Sequence, residues 1–193
     1  ARHDRFVARL ISVQALASLS VGATSALLVV LAQEHYQLPP AGFSSFILAI
    51  GIGALLGPFL LALFTRDVRH PRWLFVPYLA RGVGDILLAV THSVPVAWFL
   101  LFVYGLNTSS GMVIYQTAVQ RHVPDAVRGR VFTWLDVVWN VMRILSLGLG
   151  GWLADRTDVQ TAYYLGGAFL FLSGMVGLVL FRKWPFGEVI KSA

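Results

Sequence analysis

The sequence predicts an all-α membrane protein, a single bundle of six transmembrane helices, and three observations predict it. Of its 193 residues, 57% are hydrophobic and only 12% charged, against roughly a quarter charged in an ordinary soluble domain, and the mean hydropathy is +0.72. The apolar residues gather into six stretches, 6–32, 42–65, 73–90, 96–119, 131–153 and 162–181, each long enough to cross a hydrocarbon core about 30 Å thick as a helix. The Lys and Arg residues collect on one side of that alternation. Six spans with short links consume residues 1–193, so no separate soluble domain is expected.

Each element has its own reason. The first span follows a charged start at residues 1–4 with no small-residue cleavage pattern, which predicts a retained helix rather than a signal peptide. Beginning at Ala1 instead of Met points to a segment or processed piece of something longer. The second span carries Gly53-x-x-x-Gly57 and the fifth carries Ser146, Gly148, Gly150 and Gly151, small residues that let helix backbones approach closely. The breaks at 33–41, 66–72, 91–95, 120–130 and 154–161, four of them holding or flanking a proline, are short, so consecutive helices must be antiparallel neighbours. A faint echo at an offset of 91 (Gly57, Asp67, Val68 and Leu74 against Gly148, Asp158, Val159 and Leu165) suggests that helices one to three correspond to four to six. Three is odd, so the copies would form a 3+3 inverted repeat.

Orientation follows from the loops, because positive residues are retained on the cytoplasmic side. Arg2, Arg5, Arg9, Arg66, Arg69, Arg72, Arg121, Arg128, Arg130, Arg182, Lys183 and Lys191 fall on one side and only Arg156 on the other, while Arg81 and Arg143 lie within spans. Both termini are therefore expected in the cytoplasm, with the protein in the plasma (inner) membrane. The same placement explains the net charge of +6 through the lipid bilayer, without nucleic acid as a partner.

Several chemistries are excluded. Cys is absent, which removes disulfides, thiolate metal sites and a cysteine nucleophile. His3, His35, His70, His92 and His122 all stand at helix ends or in loops, Ser109-Ser110-Gly111 lacks the G-x-S-G arrangement, and no H-E-x-x-H, D-G-x-x-A-R or Walker A sequence occurs. No enzyme activity, cofactor or metal is expected.

What remains is polar chemistry inside the spans, where an ionisable group costs roughly 2.5–3.5 kcal/mol on insertion scales and marks function or a dedicated partner. Arg81 and Asp85 stand four residues apart in the third span, close enough to form a structural ion pair within one helix. Asp136, Asn140 and Arg143 form one stripe at i, i+4 and i+7 in the fifth. Its two charges lie about 10 Å apart along the axis, so they need a cavity, a neighbouring bundle or a ligand. The fourth span offers Tyr104, Asn107, Tyr115 and Gln116, and the first offers Gln14 with Ser18 and Thr24, a neutral polar and aromatic lining that suits an amphipathic small molecule. Together these residues are the expected substrate cavity or gate.

The loop before the fifth span reads Val123-Pro-Asp-Ala-Val-Arg-Gly-Arg-Val131, and that span ends Leu147-Gly-Leu-Gly-Gly-Trp-Leu-Ala-Asp155. In Pro124, Asp125, Arg128, Gly129 and Arg130 the chain resembles the carboxy-terminal half of a major facilitator superfamily transporter of the drug-efflux or siderophore-exporter branch. The loop over 64–72 keeps basic residues and an acid but departs from that family's usual order and lacks its glycine. The resemblance implies helices one and four around the substrate cavity, two and five at the seam between halves, and three and six outermost. It implies a secondary transporter, a proton-coupled antiporter exporting amphipathic, multidrug-type molecules by alternating access. The missing six-helix half would come from the same parent chain or a homodimer partner. A non-transporting six-helix scaffold or regulatory subunit is the alternative.

Overall fold

The computed structural model describes residues 2–64 and 72–182, with side chains described for 6–63 and 73–182. The loop over 65–71 with Arg66 and Arg69, together with Lys183 and Lys191, falls outside the described residues, as do the side chains of Arg2, Arg5 and Arg72.

Six long rods carry the described chain. The first, α1, runs through Arg2–Ala26 and Leu28–Val30 and finishes in one π-helical turn, Leu31–His35. It is followed by α2 (Pro40–Phe64), α3 (Arg72–Val90), α4 (Val94–His122), α5 (Asp125–Arg156) and α6 (Val159–Phe181). All six are long and apolar enough to cross a membrane. The spans are longer than the hydropathy pattern alone indicates, because polar residues at their ends remain helical. Residues 125–130, expected as loop, form the first turns of α5, and α1 continues beyond residue 32 to His35. Four of the links shrink to 36–39, 91–93, 123–124 and 157–158. The first reverses through Gln37 at φ 53°, a left-handed conformation that ends a helix sharply.

Small residues decide which helices meet. A Cβ on Gly53 would stand 2.0 Å from the Phe102 carbonyl oxygen, and one on Gly105 would stand 2.1 Å from that of Ile50, so α2 and α4 touch backbone to backbone. In α5 the close approach is made by Ser146 and Gly150, which lie against Gly22 and Ala23 of α1, and the Ala23 N–H donates to Ser146 Oγ at 2.8 Å. Gly148 and Gly151, expected to share this role, face open space, because they lie on other sides of the helix. Reciprocal Gly82 and Gly167 join α3 to α6.

The main pairings are α2 with α4, α1 with α5, α3 with α6, α1 with α6 and α3 with α4. Exchanging the first three helices for the last three maps four of these pairings onto one another and α3 with α6 onto itself, the contact pattern a 3+3 inverted repeat would give. Its register is not the sequence echo: Gly53 and Gly57 play the part of Ser146 and Gly150, an offset of 93 instead of 91.

Two apolar clusters fill the ends of the bundle, one around Leu31, Phe46, Ala97 and Tyr163 and one around Phe6, Phe75, Val119, Leu135 and Phe181. Between them, at the middle of α3, stands Arg81.

Candidate transport site

The site is built where α1, α3, α4 and α6 converge. Arg81 and Asp85 project from one face of α3, and Thr24, Ser25, Tyr104 and Tyr163 close a small cavity around them. The Arg81 Nε and Asp85 Oδ2 atoms lie 3.9 Å apart, with side chains 10% and 3% exposed. That is an ion pair without a hydrogen bond. Arg81 Nη2 reaches Ser25 Oγ at 3.4 Å, and the guanidinium carbon sits 4.2 Å from the centroid of the Tyr104 ring, a cation–π contact. Asp85 Oδ2, Arg81 Nε and Thr24 Oγ1 are buried with no hydrogen-bond partner, although buried polar atoms are nearly always paired. Tyr163 donates its hydroxyl to the Thr24 carbonyl at 2.6 Å, fixing one wall.

Sequence reasoning separated Arg81–Asp85 from Tyr104; the structure brings all three into one site. It also draws in Ser25 and Tyr163, which carry no signal in the sequence because each contact joins helices far apart in the chain. One layer away, the Tyr78 hydroxyl donates to Gln14 Oε1 at 2.9 Å. Tyr115 has Tyr78 and Asp136 as its titratable neighbours, and its own buried hydroxyl has no hydrogen-bond partner. Asn107 is half-buried and donates to the Val103 carbonyl of its own helix at 2.9 Å. Gln116 is exposed.

Asp136, Asn140 and Arg143 are all exposed on α5. Asn140 donates to the Asp136 carbonyl at 2.8 Å, and neither charge forms a salt bridge among the described residues. With α5 starting at Asp125, Arg143 lies about 4 Å and Asp136 about 7 Å from the helix centre, both deeper than a helix starting near residue 131 would put Asp136. By contrast, α3 and α6 each expose an apolar stripe, Trp73, Val76, Val83, Leu87 and Val90 on the one and Leu165, Phe169, Leu172, Val176 and Val179 on the other.

The loop motif has a local task. Arg128 pairs with Asp125 and donates to the carbonyls of Gln120 at 2.8 Å and Val123 at 3.3 Å, satisfying the end of α4 across the turn at Pro124. Gly129 faces open space and Arg130 is exposed.

Six apolar helices, antiparallel and tightly linked, define a multi-pass integral membrane protein. The profile of the Major Facilitator Superfamily matches residues 10–191, and the chain belongs to that family. A curated relative, the multidrug efflux pump Tap of Mycolicibacterium fortuitum, is 24% identical over 143 residues, covering 74% of this chain and 35% of that protein. The chain thus spans about a third of the length of the curated relative it matches.

Proposed function

We propose that this chain is one six-helix bundle of a secondary transporter, which exports amphipathic small molecules in exchange for protons by alternating access against a second bundle. The observation that carries this reading is the exposed stripe of Asp136, Asn140 and Arg143 on α5. Two charges near mid-span that form no salt bridge among the described residues are not stable against hydrocarbon, whereas the described outer faces of α3 and α6 are apolar. The stripe therefore lines a water-filled path or meets another bundle, supplied by the same parent chain or by a second copy. Family membership and the efflux function named for the relative support export. The half-buried Tyr104, Asn107 and Tyr115 and the exposed Gln116 on α4 support an amphipathic cargo, and Gln14 borders them through Tyr78. The positive loops support cytoplasmic termini.

The test is ethidium efflux from cells expressing the complete protein. Wild type lowers cellular ethidium below the empty-vector level, and Arg143→Ala at matched membrane abundance returns it to that level. Equal efflux by both would remove the stripe from the transport path.

A further inference from the structure

Three buried polar atoms belong to side chains that line one small cavity, and none of the three has a hydrogen-bond partner: Arg81 Nε, Asp85 Oδ2 and Thr24 Oγ1. Thr24 and Asp85 are each 2% exposed. Contacts made elsewhere hold the groups apart. The Thr24 carbonyl accepts from Tyr163 at 2.6 Å, and the Thr24 methyl is turned to α6, where a Cβ on Gly166 would stand 2.7 Å from it. Arg81 is held by the Tyr104 ring and by Ser25, with its Nε 3.9 Å from Asp85 Oδ2. That separation is too long for a direct hydrogen bond, yet it lets both atoms lie about 2.7–3.2 Å from one oxygen set between them.

The chemistry of the wall selects the occupant. A cation is repelled by Arg81 and an anion by Asp85, so the occupant is neutral. It must accept from a guanidinium N–H and donate to a carboxylate, so it carries both functions. The free volume is about 10 Å³, room for one water and for no larger molecule, and leucines make up the rest of the wall. We propose that this cavity is the binding site of a single structural water, which joins Arg81, Asp85 and Thr24 as a water-bridged ion pair. The water accepts from Arg81 Nε, donates to Asp85 Oδ2 and bonds Thr24 Oγ1. Three partners is the usual number for a buried water, and with them every polar atom left over in the cavity is paired. The bridge satisfies both charges while the guanidinium stays on Tyr104 and Ser25, so one arginine ties α3 to α1 and α4 at once. The site is independent of what the protein carries across the membrane.

The sign of one substitution tests it, in the complete protein purified in detergent. Thr24→Val keeps the shape of the side chain and removes the hydroxyl. With the water in place, valine takes away one of its three partners, and the melting temperature falls by about 2 °C or more. Without it, the hydroxyl is a buried group with no partner, and its removal raises the melting temperature. A melting temperature for Thr24→Val at or above the wild-type value therefore overturns the site. A crystal structure of the complete wild-type protein, at a resolution that shows ordered water, is expected to hold one oxygen within hydrogen-bond reach of all three atoms. Arg81 closed directly onto Asp85, or no oxygen between them, overturns the proposal even where Thr24→Val does not fold.

Discussion

Charge inside the bundle is placed in two ways, and single residues distinguish them. Arg81 and Asp85 are held within the six helices, and replacing one strands the other. Arg81→Ala and Asp85→Ala are each expected to lower stability by about 3 kcal/mol, whereas neutralising both recovers much of that loss; thermal unfolding in detergent reads the difference. Arg143 has no such partner among the described residues, so Arg143→Ala is expected to leave the melting temperature unchanged and abolish transport. Arg143→Lys restores transport only in part, because lysine lacks the planar fork. Asp136, on the same exposed stripe, is proposed as a gate contact, and Asp136→Asn is expected to shift the balance between inward-open and outward-open states, read by cross-linking across the cytoplasmic seam. The residue types and spacings of both groups were legible in the sequence. Their partners were not, since the Tyr104 and Ser25 contacts of Arg81 depend on how α1, α3 and α4 converge, and no periodicity encodes that convergence.

At the scale of helices, packing specificity resides in a few positions where one backbone meets another. A side chain at Gly105 would collide with the backbone of α2 at Ile50 and Ala54, while one at Gly148 would meet nothing. Gly105→Val is therefore expected to destabilise the protein by about 2 kcal/mol or more, and Gly148→Ala to be neutral or slightly stabilising, since alanine favours helix; loss of helical circular dichroism on heating separates the two. All six spans could be read from hydropathy, because length and apolarity are properties of each segment alone. Their ends could not: residues 125–130 are polar but helical, held by the Asp125–Arg128 pair and the bonds of Arg128 back to α4. The choice of Ser146 and Gly150 over Gly148 and Gly151 was equally hidden, since it depends on the rotation of α5 about its axis against α1.

For the whole molecule, the pairings that exchange under a 3+3 repeat give a bundle that carries the Arg81 site near its middle, with an apolar cluster packed in its interior on either side. The absence of Cys allows topology to be read without background. A cysteine at the exposed His92 position is expected to react with an impermeant maleimide added outside intact cells, and labelling only from the cytoplasmic side would reverse the orientation. The central claim, that this bundle serves a proton-coupled exporter, is tested most directly by ethidium accumulation in liposomes holding the complete protein under an imposed pH gradient. The account predicts uptake above that of protein-free liposomes, driven by the gradient and collapsed by a protonophore. Equal uptake with and without the gradient, or no uptake above protein-free liposomes, would contradict it.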